Sequence, residues 1–322
     1  MNKSPLLFIV FNRSEIALQT LQTIRQYRPE KLFIAADGPR DGNLLDINKC
    51  SETRARILEA IDWPCEVKTN FQENNLGCKL GPITAINWFF ENEEMGIILE
   101  DDCVPDQSFF TFCEGLLNMY KDDERIMLIS GNNYQRGRKR TDYSYYFSKQ
   151  PLTWGWATWR RAWEYFEDLK SWPECKINGT LDLMFDDSVE EEYWTQIWDR
   201  VYSNNISTAW DYQWMYSCRK NNGLTIIPEH NLVSNIGFGE DATHTKNPGS
   251  ELANIETKSI TLIKDNPFII PHKIADQFTF DHHFGGNKLR EKKKITYKIK
   301  AFFRYLYRGS LKHMKRMIGR ES

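Results

Sequence analysis

The stretch GIILEDDCVPD, residues 96–106, joins a short apolar run to three consecutive carboxylates, Glu100, Asp101 and Asp102. An apolar run without alternation is typical of a parallel strand that is buried on both faces. Such strands place their ligands just beyond their carboxyl ends. Adjacent carboxylates repel one another, and a hard divalent cation with oxygen ligands relieves that repulsion. The segment therefore predicts a strand tip that holds Mn²⁺ or Mg²⁺, with a solvated acidic turn as the alternative.

The sequence on either side of this strand alternates apolar strands with helical segments. The predicted strands cover residues 6–11, 31–36, 65–69 and 96–100, and the predicted helices cover residues 15–27, 51–61, 80–91 and 108–120. Strands separated by helical segments are the pattern of βαβ units around a parallel sheet. The fold class predicted from this pattern is α/β, a doubly wound sheet with helices on both faces.

Beyond about residue 129 the pattern changes to turns, aromatic clusters and short helices, which are predicted at residues 160–167, 190–202 and 212–221. The chain has 322 residues, of which 14% are aromatic and 11 are tryptophan. Tryptophans in such number can line a sugar-binding cleft or fill the core. Both interpretations stay open for each of them.

The last segment, residues 288–322, is rich in Lys and Arg, with apolar residues at near-helical spacing, although the net charge of the chain is only −2. The pattern predicts a basic amphipathic C-terminal helix. Such a helix lies on an anionic membrane or packs on its own domain as a solvated helix. We predict peripheral contact with an anionic membrane through residues 288–320, and no nucleic-acid partner.

No apolar stretch approaches the roughly 20 residues that a membrane span needs. The apolar run at residues 6–11 is too short for a signal peptide. The seven cysteines are scattered and contain no C-x-x-C pair, which argues against a disulfide framework and a structural zinc site. We therefore expect a cytoplasmic protein, free or held at the inner face of the membrane, with reduced thiols.

Polar residues also follow the first and second predicted strands. Phe11, Asn12 and Arg13 supply an aromatic ring, an amide and a cation that can meet a nucleotide base and its phosphates. Asp37 follows the second strand, where its carboxylate can accept hydrogen bonds from a base or a ribose. Because parallel strands bring these ends to one edge of the sheet, we expect them beside the acidic cluster.

The loop after the third strand carries Gly77 and Lys79. Gly77 permits close backbone approach, and Lys79 lies at a helix start, where the helix dipole favours anions. The loop lacks the spacing of a G-x-x-x-x-G-K-[ST] phosphate loop, and no G-x-G-x-x-G follows the first strand. This loop therefore matches neither of the two common nucleotide-binding motifs.

Taken in order, segments 11–13, 37–39, 75–77 and 100–102 resemble a nucleotide-diphospho-sugar transferase of the GT-A fold. The Glu-Asp-Asp sequence is similar to the metal motif of the N-acetylglucosaminyltransferase I type. Segment WGWATWRR at 154–161 resembles the Gly-Trp acceptor segment of the family, and WDYQW at 210–214 resembles its Trp-Asp-x-x-Trp motif. The resemblance covers about residues 6–244 and implies a GT-A, Rossmann-like mixed sheet.

The resemblance assigns roles to single residues. Asp211 is the implied catalytic base, Asp102 is the implied metal ligand, and His244, at the end of the glycine-rich loop 235–244, is a second candidate ligand. The donor-binding set is Phe11, Asn12, Arg13, Asp37, Gly77, Lys79, Glu100 and Asp101. The acceptor-binding set is Trp154, Gly155, Trp156, Trp210 and Trp214. A helix N-cap is a second role predicted for Asp211, and it is compatible with the role of the base.

The implied division is a donor-binding half at residues 1–130, an acceptor-binding half at 131–287 and the basic helix at 288–322. The implied donor is a UDP-sugar, UDP-GlcNAc by the resemblance, and the acceptor is a glycan or a lipid-linked molecule in surface polysaccharide or glycoconjugate synthesis. A cation stabilises the departing diphosphate, and a carboxylate takes the proton of the attacking hydroxyl. Direct attack with one base predicts inversion of the anomeric configuration.

Two other functions fit part of the pattern. A nucleotidyltransferase acting on sugar phosphates also places acids at a strand tip, but it usually carries a glycine-rich basic loop after the first strand, and residues 11–13 contain no glycine. A non-catalytic glycan- or lipid-binding module would explain the tryptophans and the basic tail. It would not explain metal-type acids together with a separate candidate base.

Overall fold

The computed structural model describes residues 3–204, 209–239, 247, 249–296, 298 and 299. Four parallel strands form one side of the central sheet in the order β3-β2-β1-β4. They are β1 (Leu6–Val10), β2 (Lys31–Ala36), β3 (Glu66–Phe71) and β4 (Met95–Glu100), and they alternate with α1 (Ser14–Tyr27), α2 (Leu44–Glu59) and α3 (Gly77–Asn92). The predicted βαβ arrangement is confirmed, with strand ends shifted by at most two residues.

The sheet continues into the second half of the chain and becomes mixed. After β5 (Cys103–Pro105) and α4 (Gln107–Met119) come β6 (Ile126–Ser130), β7 (Tyr145–Ser148), β8 (Trp156–Trp159) and, later, β9 (Leu224–Pro228). Strand β8 runs antiparallel to both β4 and β6, while β6 pairs in parallel with β9 and β7 closes the edge antiparallel to β9. The eight-stranded mixed sheet with helices on both faces confirms the predicted fold class.

A second, two-stranded sheet lies next to the acidic segment. Strand β5 pairs antiparallel with β10 (Val233–Asn235), and Asn235 is opposite Cys103. Because Cys103 directly follows Asp102, this pairing brings the segment after β10 against the tip of β4. Neither short strand was predicted, since each has only three residues.

The remaining helices are α5 (Arg160–Trp163), α6 (Trp172–Ile177), α7 (Thr180–Met184), α8 (Ser188–Asn204), α9 (Asp211–Lys220) and α10 (Lys273–His282). Helix α2 begins seven residues before its predicted start, because the side chain of Asn43 caps it by accepting a hydrogen bond from the amide of Asp46. Residues 286–296 are also helical. Of the predicted basic helix, residues 297 and 300–322 lie outside the described residues.

Tryptophans fill the core rather than the surface. Nine of the eleven are buried, and only Trp88 and Trp154 are partly exposed. One cluster packs Trp156, Trp163, Trp210 and Trp214 against one face of the sheet, and another packs Trp172, Trp194 and Trp198 between the helices of the second half. For most of these residues the core interpretation holds. No helix within the described ranges is long and apolar enough to span a bilayer.

Candidate active site

A cleft of about 1030 Å³ opens at the carboxyl ends of β1, β2 and β4, the edge that the sequence predicts. Its walls come from both halves of the chain. The segments after β1 and β4 and the start of α3 form one side, and Thr153, Trp154 and residues 209–212 reach it from the second half. The volume suits a nucleotide-sized ligand.

The charges around the cleft are mainly negative. Four basic side chains line it, together with eight carboxylates: Arg13, Arg40, Lys49 and Lys79; Glu15, Asp37, Asp46, Glu52, Glu100, Asp101, Asp102 and Asp211. A diphosphate entering this cleft would meet net repulsion from the protein. A divalent cation that accompanies the phosphates would offset that repulsion.

Arg13 joins the two acids that follow Glu100. Its Nη2 donates hydrogen bonds to Oδ1 of Asp101 and, at 2.8 Å, to Oδ2 of Asp102, and its Nε donates to Oδ2 of Asp101 at 3.4 Å. Asp101 is 5% exposed, and this burial raises its pKa to about 6 even though Arg13 lowers it. The guanidinium predicted to meet phosphates is therefore already engaged with the acids, and it holds them in place.

Asp102 is also held from β10. Its Oδ1 accepts a hydrogen bond from Nδ2 of Asn235 at 3.1 Å, and its backbone carbonyl accepts one from the amide of Ile236 at 2.9 Å. Gly237 packs so closely that a Cβ there would lie 2.6 Å from Cγ of Asp102. The Asn235 and Gly237 contacts were not predicted, although both residues belong to the loop 235–244 noted in the sequence.

Glu100 and Asp211 face the same cleft from different elements. Burial, together with repulsion from Asp102, Asp101 and Asp211, raises the pKa of Glu100 to about 8. Asp211 is exposed and is the first residue of α9, whose N-cap is Trp210. The N-cap position predicted for Asp211 is therefore held by Trp210, one residue earlier. Because Asp211 is close enough to Glu100 to raise its pKa, it is a fourth carboxylate beside the acidic cluster.

Asp37 shapes the cleft instead of offering free oxygens. Its carboxylate accepts four hydrogen bonds, from the amides of Gly38, Leu76 and Gly77 and from Nδ2 of Asn75, at 2.7–2.9 Å. Four bonds use the lone-pair capacity of a carboxylate. Asp37 thus stabilises the turn at the start of α3, where it accepts hydrogen bonds from two amides of the helix start. Its oxygens are not free for the predicted contact with a base or ribose.

Asn12 and Phe11 lie beside a charged pair that the sequence did not reveal. Asp46, which is buried, accepts hydrogen bonds from Nδ2 of Asn12 at 2.9 Å and from Nη2 of Arg40 at 2.8 Å. The bonds from Arg40 lower the pKa of Asp46. The guanidinium of Arg40 lies 5.7 Å from the centre of the Phe11 ring. The aromatic ring, the amide and Arg40 therefore form one wall of the cleft.

Lys79 is positioned in the first turn of α3, but its ammonium is paired. Its Nζ lies 2.8 Å from Oδ2 of Asp168, and Asp168 also accepts a hydrogen bond from Nε2 of Gln213 at 3.2 Å. This pairing connects the start of α3 to α9. To contact an anion, Lys79 would have to exchange Asp168 for it.

The predicted acceptor residues separate into two groups. Trp154 and Trp210 line the cleft, whereas Trp156 and Trp214 are fully buried in the core, with Trp156 stacked on Trp210 at a centroid distance of 5.5 Å. Gly155 is buried with a φ of +70°, and a Cβ there would contact Val233. Direct acceptor contact is therefore excluded for Trp156, Gly155 and Trp214 in this conformation, because none of them reaches the surface.

Trp154 is held by other aromatic rings. Its ring packs edge-on against Tyr134 and Phe238, each at a centroid distance of 5.8 Å, and against His283 at 6.5 Å. Its backbone amide donates to Oδ1 of Asn132 at 3.0 Å. The side chain thus presents a supported aromatic surface to the cleft.

The described residues contain no group of three His, Cys, Asp or Glu side chains arranged to hold a metal. His244 lies outside those residues. Mg²⁺ is commonly held by one or two carboxylates together with substrate phosphates, rather than by a cage made only of protein. Asp102, with the excess of carboxylates around it, has the oxygen ligands that a cation held in this way needs.

Comparison with known proteins adds little to this geometry. No protein-family profile matches the chain, and no curated protein matches it. Among solved structures, the chain is similar to 4-diphosphocytidyl-2C-methyl-D-erythritol synthase from Anaerococcus prevotii, with 9% identity, a TM-score of 0.32, and coverage of 67% of this chain and 97% of the other. A likeness at this level supports no inference about shared function.

Proposed function

We propose that the protein is a metal-dependent glycosyltransferase that moves a sugar from a UDP-sugar to a glycan or lipid-linked acceptor with inversion. One observation carries the proposal: Asp211, from α9, lines the same cleft as the acids at the tip of β4. A transferase needs a leaving-group site and a separate base that reach one reacting centre. The specific donor UDP-GlcNAc rests only on the sequence resemblance.

The residues of the cleft divide into two tasks. Asp102, held by Arg13 and Asn235, would bind the cation, which neutralises charge on the departing diphosphate. Asp211 is exposed and would accept the proton of the acceptor hydroxyl as it attacks. Trp154 offers a flat apolar surface on which a sugar ring can stack.

Calorimetry with UDP tests the donor site first, in Mn²⁺ and then in EDTA. We expect metal-dependent binding that Asp102→Asn abolishes and that Asp211→Asn leaves intact. In a transfer assay, Asp211→Asn should lower kcat by about 10²–10⁴-fold, the usual contribution of a general base. Asp142→Asn, at an exposed surface position, serves as the matched control. Equal activity of Asp211→Asn and the control would overturn the assignment of the base.

The alternative function is nucleotidyl transfer to a sugar phosphate. It would use the same acids at the tip of β4 and the same cleft. Against it, only residues 11–13 separate β1 from α1, and they contain no glycine. Release of pyrophosphate from UTP or CTP with a sugar phosphate, and no release of UDP from UDP-sugars, would favour the alternative.

A further inference from the structure

Three segments meet around α10, on a surface not used by the cleft. Arg136, in loop 136–140, donates a hydrogen bond to the carbonyl of His282 at 3.4 Å. In the same loop, Arg138 lies 4.6 Å from the centre of the Phe278 ring. From the other side, Nε of Arg290, in the helical segment 286–296, donates to Oδ1 of Asp281 at 2.8 Å. Loop 136–140, α10 and segment 286–299 therefore form one continuous face, called here the α10 face.

The α10 face is strongly basic, although the whole chain has a net charge of −2. Loop 136–140 reads RGRKR, α10 carries Lys273 against Asp276 and Asp281, and segment 286–299 contains six basic residues against one acid, Glu291. Four of these charges are neutralised within the protein by ion pairs: Arg290 with Asp187, Lys293 with Glu192, Arg136 with Glu251 and Lys139 with Asp142. Others make no ion pair with any described residue: Arg138, Lys288, Lys292, Lys294 and Lys298.

Large apolar side chains of the α10 face and of residues 268–270, which shortly precede α10, are open to solvent. Phe268, Ile270 and Ile274, at and just before the start of α10, are 60–67% exposed. Ile295 and Ile299 are 57% and 51% exposed. They follow Lys292 by three and seven residues, so all three lie on one side of the helix. Every described residue from 291 to 299 is exposed, so no other part of the described chain covers this amphipathic side.

We propose that the α10 face docks on an anionic lipid surface. The basic side chains that form no ion pair with a described residue match the negative charge of lipid headgroups, and the exposed Phe and Ile side chains can enter the boundary between headgroups and acyl chains. A nucleic-acid backbone would match the charges but would leave these apolar side chains in water. The proposal does not depend on the proposed reaction, because it uses no residue of the cleft.

Cosedimentation of the full-length protein tests this docking, with vesicles of phosphatidylcholine alone and with vesicles that also contain phosphatidylglycerol. We expect binding only to the anionic vesicles, weakened by salt. One basic residue near such a surface contributes about fivefold to vesicle binding. The double variant Arg138→Glu/Lys292→Glu should therefore bind anionic vesicles at least about 25-fold more weakly. The matched control, Lys121→Glu/Lys170→Glu, makes the same change of charge at exposed positions outside the face.

A second pair, Ile270→Ser/Ile274→Ser, tests insertion of the apolar side chains. We expect it to weaken vesicle binding while the circular dichroism spectrum and the thermal unfolding of the protein stay unchanged. Equal binding to neutral and anionic vesicles would overturn the proposal, as would equal weakening by the control pair. Tighter binding to duplex RNA or DNA than to anionic vesicles would also overturn it, and would assign the face to a nucleic acid.

Discussion

Removal of Arg13 should destabilise the fold and the acidic cluster together. Arg13→Ala leaves Asp101, which is 5% exposed, without the guanidinium that balances its charge. Breaking a buried ion pair by removing one partner costs about 3–5 kcal/mol. Because the Arg13 side chain is itself 21% exposed and water can reach the pair, we expect a loss near about 3 kcal/mol in the free energy of unfolding.

Urea unfolding at neutral pH, followed by tryptophan fluorescence, measures this loss, since nine tryptophans are buried. Asp101→Asn in the same chain removes the charge that Arg13 balanced. The double variant Arg13→Ala/Asp101→Asn should therefore recover about 2 kcal/mol relative to Arg13→Ala, a coupling typical of contacting residues. A double variant no more stable than Arg13→Ala would refute the reasoning. So would a loss below about 1 kcal/mol for Arg13→Ala, the range of an exposed pair.

Three other changes test separate contacts. Gly237→Ala should weaken metal-dependent UDP binding on the order of 10²-fold, because the new Cβ would displace the Asp102 carboxylate. The control Gly249→Ala, whose Cβ would come no nearer than 3.4 Å to its nearest neighbour, should leave the calorimetric affinity unchanged. Asp37→Ala should cost about 2–3 kcal/mol in urea unfolding, because the amides at the start of α3 lose their acceptor. Burial lowers the pKa of His283 to about 4, so the unfolded chain binds the extra proton first as the pH falls. The free energy of unfolding, measured by urea titration, should therefore fall by up to about 3 kcal/mol between about pH 6.5 and pH 4. His283→Phe should remove this decline. An unchanged decline in the variant would contradict the assignment of the decline to His283.

Local pattern was sufficient for the first half of the fold. Strands β1 to β4 and the helices between them follow from apolar runs and helical periodicity, which act over a few residues. From parallel strands it also follows that Arg13, Asp37, Gly77 and Glu100 meet at one edge. The second half was predicted less completely, because β5 and β10 have three residues each and exist only by pairing across more than a hundred positions.

The sequence by itself determined which chemical groups reach the cleft: the acids at the tip of β4, the loop after β1 and Asp211. Only the tertiary structure decided which of the predicted site residues already have partners within the protein. Asp37 accepts hydrogen bonds from amides at the start of α3, and Lys79 pairs with Asp168. Trp156 and Trp214 are buried in the core. The physical reason is that hydrogen-bond partners and burial depend on residues distant in the chain, whereas periodicity reports only on neighbours.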